Sequence, residues 1–174
     1  DVVELMDYFA GSSRRSVQAV PGAGLHVPVW ILGSSLFGAQ LAAALGLPYA
    51  FASHFAPSMM MQAIDFYRAN FKPSAQLDKP YVMLGFNVFA ADTDAEAQYL
   101  ATSMQQAFVN LRSGRASRLQ PPVAGYLEAT GPSERAMLDQ VLSCSAIGSP
   151  DTVARQLQDF IARTGADELM ITSQ

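Results

Sequence analysis

The feature that most constrains this chain is a series of short apolar runs separated by helical segments, with no turn signal that would join two runs as a hairpin. The runs lie at 27–32, 49–52, 81–90 and 168–172. Nearly continuous apolar runs of this length are typical of strands that are buried on both faces. Strands that alternate with helices form parallel sheets with right-handed connections. The sequence therefore predicts an α/β fold with four parallel strands.

The segments between the runs carry helical signals. Helices are predicted over 36–45, from Pro57 onward, after the cap Asp92-Thr93-Asp94, and from Ser149-Pro150 to Gly165, with shorter pieces near 123–127 and 133–143. The apolar stripes of the four main helices are Phe37, Leu41, Ala44 and Leu45; Met60, Ile64, Tyr67 and Phe71; Ala97, Leu100, Ala101, Met104, Phe108 and Leu111; and Val153, Leu157, Phe160 and Ile161. We expect these stripes to face the core.

The 174 residues are predicted to form a single domain. Residues 1–10 are predicted as an amphipathic helix, 11–26 as a connecting loop and 27–174 as four βα units. A parallel barrel needs eight strands, so the domain is either a small open sheet or an incomplete (β/α)8 barrel. Because the chain begins inside a helix and without Met, we expect further sequence upstream.

Composition excludes several classes of function. The net charge of −4 and the pI of about 5.0 argue against a nucleic-acid partner. No apolar run reaches the roughly 18 residues of a membrane span, so we expect no membrane association. The only cysteine is Cys144, which rules out a disulfide framework and a multi-cysteine metal site. We expect a protein without a metal, in a reducing, cytoplasmic compartment, that handles a small molecule.

One candidate binding site is the corner at which the first strand passes into a helix, Gly33-Ser34-Ser35. Free backbone N–H groups and the helix dipole favour a phosphate at such a position, and the hydroxyls add hydrogen-bond donors. Phe37 and Gly38 would add amides of the first turn. The alternative is that a serine here is simply an N-cap of the helix.

Ser53 and His54 end the next strand and therefore lie at the same edge of the sheet, where the active sites of parallel barrels are found. A histidine there could bind a cofactor or exchange protons near neutral pH; the alternative is a structural histidine. His26 precedes the first strand, at the opposite edge, and is expected to be structural. Asn87 interrupts an apolar strand, so its amide must be hydrogen-bonded if it is buried.

Several stretches of the chain resemble the luciferase-like flavin monooxygenases. They are VPVWILGSS at 27–35, QLAA at 40–43, LGLPYAFASHF at 45–55, AADTDAEA beginning at Ala90, GSP at 148–150 and TGADELM at 164–170. The first block is long and specific, and the later ones follow in the family's order. The resemblance covers nearly the whole chain from about Val17.

The resemblance implies the C-terminal half of a TIM-type (β/α)8 barrel, four strands with their helices. It implies an enzyme that uses reduced FMN and oxygen to oxidise a small organic substrate, with a separate flavin reductase or NAD(P)H as the source of electrons. The cofactor-binding residues are then Gly33, Ser34, Ser35, Phe37, Gly38 and Ser53, and the catalytic residue is His54.

Two other functions remain open within the same family: a flavin-binding barrel without catalysis, and hydride transfer with a deazaflavin. The resemblance places the remaining contacts to the cofactor in a first half that this chain lacks. We therefore expect the fragment alone to be inactive. A half barrel also leaves strand edges and apolar faces uncovered, so we expect a homo-oligomer.

Overall fold

The computed structural model describes residues 1–11, 17–115 and 117–173. Short 3-10 turns cover Pro57–Met59 and Leu142–Cys144. In chain order the elements are α1 Val2–Ala10, β1 Ile31–Gly33, α2 Leu36–Leu45, β2 Tyr49–Phe51, α3 Met60–Asn70, β3 Val82–Ala90, α4 Asp94–Arg112, α5 Tyr126–Ala129, α6 Pro132–Val141, β4 Ser145–Gly148, α7 Pro150–Thr164 and β5 Glu168–Thr172.

All strand pairs in the sheet are parallel, as predicted. β1 pairs with β2, and β2 pairs with the first part of β3. β5 pairs with β3 from Met83 to Asn87. Because Met83 pairs with both β2 and β5, these two strands lie on opposite sides of β3. A parallel sheet whose strands alternate with helices is the arrangement of half of a (β/α)8 barrel.

One strand, β4, was not predicted. It pairs with the last part of β3, from Asn87 to Ala90. Asn87 pairs with β4 on one side and with β5 on the other, so β4 continues the side of β3 that β2 occupies earlier. The sequence Ser-Ala-Ile-Gly contains one large apolar residue, and for this reason it lacks the run that identified the other strands. The prediction of four strands is therefore one strand short.

The main core lies between the sheet and the helices. Strand residues that point toward the helices are fully buried, and the ring centroids of Phe86 on β3 and Phe160 on α7 are 4.4 Å apart. Burial of each large apolar side chain stabilises the fold by roughly 1.5–3 kcal/mol. The strand residues of this layer are Ile31, Tyr49, Phe51, Val82, Leu84, Phe86 and Ala146.

The opposite face of the sheet, which we call the open face, carries Leu32, Ala50, Met83 and Gly85. Toward the carboxyl end of β3 this face is covered by α4 and α6, which pack against Phe89, whereas Leu32 on β1 has no such cover among the described residues. Leu32 is 63% exposed, so the prediction that the first strand is buried on both faces is wrong. The first strand is also shorter than predicted, since it begins at Ile31 rather than at 27.

The inward faces of the helices differ in part from the predicted stripes. In α2 the small residues Gly38, Ala39, Ala42 and Ala43 are buried, whereas Phe37 is 71% exposed. Small residues let the helix axis lie close to β1 and β2, which spacing alone did not reveal. In the other helices, Leu100, Leu111 and Ile161 are exposed at 43%, 47% and 42%, contrary to prediction.

A second, smaller core joins α4 and α6. It excludes Leu100 and Leu111 but includes Val109 and the nearby strand residue Phe89. Its members are Phe89, Ala101, Met104, Phe108, Val109, Leu138 and Val141. This cluster holds α4 against the carboxyl end of β3, so one side of α4 lies beside the edge at which the candidate site residues lie.

Candidate functional site

The corner predicted to bind phosphate lies at the carboxyl edge of the sheet, as the sequence indicated. Gly33 ends β1, and Ser35 is the N-cap of α2. The backbone N–H of Ala52 donates a hydrogen bond to the carbonyl oxygen of Gly33 at 2.9 Å. This bond holds the ends of β1 and β2 side by side, so the corner and His54 belong to the same edge of the sheet.

The N-terminus of α2 lacks a side-chain cap in the described part of the chain. The hydroxyl of Ser35 makes no capping hydrogen bond, and the first turn carries no acidic residue. Ser34 and Ser35 are both exposed. The first amides of a helix have no partner within the helix, and together with the helix dipole they attract an anion. The corner therefore has the donors that a phosphate requires.

The first turn of α2 rests on the buried ring of Tyr49. The hydroxyl of Tyr49 donates a hydrogen bond to the carbonyl oxygen of Ser35 at 3.1 Å. A Cβ at Gly38 would lie only 3.2 Å from Cε2 of Tyr49, so glycine allows this close packing. Burial raises the pKa of Tyr49 to about 12, which keeps its hydroxyl protonated as a donor.

The N-terminus of α7 lies at the same edge but is already occupied. The backbone N–H of Ser149, the N-cap of α7, donates to Oδ1 of Asp94 at 2.6 Å, and the hydroxyl of Thr152 donates to Oδ2 at 3.2 Å. The first of these bonds is the main reason why the pKa of Asp94 is lowered. A carboxylate of the protein thus already binds the backbone N–H of the N-cap residue of α7.

Ser53 lies at the predicted edge, but its side chain has a structural contact. It is fully buried, and its hydroxyl donates to the carbonyl oxygen of Gly85 at 2.7 Å. This bond ties the end of β2 to the middle of β3. Of the three serines identified in the sequence, Ser34 and Ser35 are exposed at this edge, whereas Ser53 is buried beneath it.

His54 lies on the open face, directly over Gly85. A Cβ at Gly85 would lie 1.9 Å from Nδ1 of His54, with Cε1 and Cγ next nearest, so only glycine leaves room for the ring. Nδ1 is buried without a hydrogen-bond partner among the described residues. Burial lowers the pKa of His54 below its usual 6.5. Burial therefore favours the neutral imidazole.

Asn87 has the hydrogen-bonded amide that its burial required. Its Nδ2 donates to the carbonyl oxygen of His54 at 2.9 Å and to the hydroxyl of Ser145 at 3.2 Å. Its Oδ1 accepts a hydrogen bond from the hydroxyl of Thr172 at 2.6 Å. Asn87 thereby joins the residue after β2 to β4 and β5 and fixes the backbone of His54.

A cleft of about 360 Å³ opens beside His54. One wall of the cleft is a side of α4. The sequence did not associate α4 with the site, because an apolar stripe along a helix predicts packing against the core. The other signal that could have identified the site is Gly85, an isolated glycine inside an apolar strand. The residues that line the cleft are His54, Phe55, Asn87, Met104, Ala107, Phe108, Leu111 and Thr172.

His26 and Cys144 both lie outside the cleft. His26 is exposed and lies outside this edge, in the segment before β1. Cys144 is buried, as expected for a small apolar residue, and burial is the main cause that raises its pKa. Across 1–11, 17–115 and 117–173, no group of three or more potential ligands could hold a metal ion. In the same ranges, no helix is long and apolar enough to cross a membrane.

The fold and the edge described above define the class: half of a parallel (β/α)8 barrel, with an uncapped helix N-terminus and an apolar cleft at the carboxyl edge of its sheet. The model of the family described as luciferase-like monooxygenase matches residues 6–168. The chain therefore belongs to the luciferase-like monooxygenase family.

Relatives agree with this assignment. A luciferase-like monooxygenase of Escherichia coli (strain K12) is 51% identical over 175 residues, which covers 100% of this chain and 52% of that protein. The uncharacterized protein YvbT of Bacillus subtilis (strain 168) is 46% identical over 98% of this chain and 52% of its own length. The chain thus spans about half the length of these relatives.

Solved structures share the fold. Apo-MsnO8 matches with a TM-score of 0.78 and 29% identity, over 99% of this chain and 53% of that one. The oxygenating constituent of 3,6-diketocamphane monooxygenase from Pseudomonas putida, in complex with FMN, matches with a TM-score of 0.54 and 19% identity, over 93% of this chain and 46% of that one. A coenzyme F420-dependent tetrahydromethanopterin reductase from Methanopyrus kandleri matches with a TM-score of 0.58 and 14% identity, over 98% of this chain and 55% of that one. The last two likenesses concern the fold alone.

Proposed function

We propose that this chain is the cofactor-phosphate half of an FMN-dependent monooxygenase. In the complete protein, reduced FMN and oxygen would oxidise a small organic substrate. The observation that carries this proposal is the uncapped N-terminus of α2 at Gly33-Ser34-Ser35, on the same edge as His54. Bound FMN would supply the redox chemistry, and the residues of this chain would bind and orient it.

The phosphate would accept hydrogen bonds from the hydroxyls of Ser34 and Ser35 and from the first amides of α2, those of Phe37 and Gly38 included. Phe37 would contribute its backbone amide and not its side chain, which is 71% exposed to solvent. Gly33 leaves the corner without a side chain. Ser53 would support the edge through its bond to Gly85 rather than contact the cofactor.

His54 would act near the reacting end of the flavin. Its neutral ring can either donate or accept one hydrogen bond at the nitrogen that does not face Gly85. In this position it would hold a proton for the substrate or for the flavin ring. Gly85 and Asn87 would fix its ring and its backbone, respectively.

The test is binding of FMN and of riboflavin, which lacks the phosphate, to the complete protein. The double variant Ser34→Ala/Ser35→Ala removes two donors to a charged group, which should weaken FMN binding about tenfold or more. Riboflavin binding should not change. Ser133→Ala, which alters an exposed serine in the first turn of α6, is the matched control. Equal effects on both ligands, or no effect on either, would contradict a phosphate site at this corner.

A deazaflavin enzyme that transfers hydride is the second candidate, and the F420-dependent fold neighbour supports it. A phosphate on the deazaflavin would use the same corner. Parallel titrations with FMN and F420 separate the two, since the cognate cofactor should bind more tightly. Binding of FMN without turnover under NADH, oxygen and a range of substrates would instead favour a flavin-binding barrel without catalysis.

We further propose a cytoplasmic protein that receives electrons from a separate flavin reductase or from NAD(P)H and that forms a homo-oligomer. The buried thiol of Cys144 is compatible with a reducing compartment. The fragment alone is proposed to be inactive because the corner supplies hydroxyls and amides to the phosphate but no cation. Assay of the 174-residue chain beside the complete protein tests this.

A further inference from the structure

The cleft beside His54 differs from the phosphate corner in its chemistry. Its walls are apolar side chains of α4 and of the turn after β2, and none of the residues that line it is an acid, a lysine or an arginine. A charged group placed there would lose water without gaining a partner, which is costly. Within the described residues, the cleft therefore offers no counter-ion to a charged ligand.

The polar groups in the cleft are nearly all engaged with each other. Asn87 donates to His54 and Ser145 and accepts from Thr172, so its amide has no free donor directed at a ligand. His54 is the exception, since its ring makes no hydrogen bond to the described residues. The atoms of the ring nearest to Gly85 are Nδ1, Cε1 and Cγ, so Nε2 lies on the far side of the ring from the strand.

We propose that this cleft is a binding site for a small, neutral, largely hydrocarbon molecule that carries one hydrogen-bonding group, and that this group binds Nε2 of His54. Met104, Ala107, Phe108 and Leu111 contact the hydrocarbon part. The volume of about 360 Å³ is at the small end of the range for ligand sites. As the substrate site of the enzyme, this inference rests on the proposed function; as a binding site it stands alone.

The test uses two probes that differ by a single hydroxyl, naphthalene and 2-naphthol, titrated into the complete protein. One hydrogen bond should make 2-naphthol bind about fivefold more tightly than naphthalene. In His54→Phe, which keeps a ring but removes both nitrogens, the two probes should bind equally. A preference for 2-naphthol that survives in His54→Phe would overturn the role of His54.

A second pair of variants tests the cleft itself. Ala107→Trp adds a large side chain to its wall and should weaken both probes about tenfold or more, whereas Ala136→Trp places the same residue on an exposed position of α6 and should weaken neither. Equal binding of both probes to wild type and Ala107→Trp would overturn the site. FMN binding, followed in the same samples, reports on the proposed function separately: its failure would leave the probe results as they are.

Discussion

The position of His54 depends on the residue beneath it. Because residue 85 is glycine, the imidazole lies over the open face with its Nδ1 against the strand. Burial there disfavours the charged ring, so the pKa of His54 is lowered from 6.5. A single absent side chain on β3 thus leaves room for the candidate catalytic residue at a place where burial favours its neutral form.

We expect an NMR titration of the His54 ring in the complete protein to give a pKa below 6.5. In the unfolded chain the imidazole has a pKa of about 6.5, whereas in the folded chain it takes up a proton only at lower pH. The contribution of His54 to the free energy of unfolding is therefore fully present above pH 6.5 and is lost as the pH falls through the pKa of the folded state. Gly85→Ala should displace the ring and return its pKa toward 6.5. A pKa at or above 6.5 in the wild type would contradict the burial of the ring.

At the scale of the elements, the two strand-to-helix corners of this edge have opposite roles. At α7, Asp94 accepts hydrogen bonds from Ser149 and Thr152 and so joins the start of α4 to the start of α7. At α2, the equivalent donors have no protein side chain to bind in the described residues. The edge therefore contains one corner stabilised by the protein and one corner open to an anion.

Asp94→Ala should lower the Tm by a few degrees at pH 7, because the start of α7 loses the hydrogen bonds of Ser149 and Thr152 to Asp94, which link it to α4. Asp92→Ala, a nearby exposed carboxylate, is the control. The pKa of Asp94 is lowered in the folded protein. The contribution of Asp94 to stability is therefore fully present above the unfolded pKa of about 3.9 and is lost as the pH falls through the pKa of the folded state. The difference between wild type and Asp94→Ala should then shrink. Equal Tm values for the two variants at pH 7 would count against the link.

Elements with strong local signals could be predicted from the sequence. The bounds of α2 were predicted correctly because Gly46 ends it at φ 65°, and a Cβ there would lie 2.4 Å from the carbonyl oxygen of Lys72. β4 was missed because its residues are mostly small. The inward face of α2 was wrong because close packing on β1 and β2 selects alanine and glycine over the larger Phe37.

The site could be predicted only in part, for a related reason. The strand ends at Gly33 and Ser53 identify the edge, because all parallel strands end there. The contact between His54 and Gly85, and the position of α4 beside the cleft, depend on packing between segments distant in the chain. No local pattern encodes them. The hydrogen bond from the hydroxyl of Ser53 to the carbonyl oxygen of Gly85 likewise joins segments distant in the chain.

At the scale of the molecule, the sheet has free edges, and its open face is covered only in part. In the described residues, β1 and β5 each pair on one side only. Leu32 on the open face is 63% exposed and Ile171 on β5 is 47% exposed. Free strand edges beside exposed apolar groups favour association. The relatives, about twice as long, have sequence enough for the other half of a barrel.

We expect the isolated 174-residue chain to self-associate and to bind a hydrophobic dye, because its open face is covered only in part and its edges lack a cover. Light scattering measures the first and dye fluorescence the second. The complete protein, examined in the same way, should bind far less dye per chain. A strictly monomeric fragment that binds no dye would contradict this expectation.

The central claim is that the corner at the start of α2 binds the phosphate of FMN. A crystal structure of the complete protein with FMN tests it most directly. We expect phosphate oxygens within about 2.7–3.2 Å of the hydroxyls of Ser34 and Ser35 and of the first amides of α2, with the flavin extending toward His54. A phosphate bound elsewhere, with this corner facing solvent, would contradict the claim.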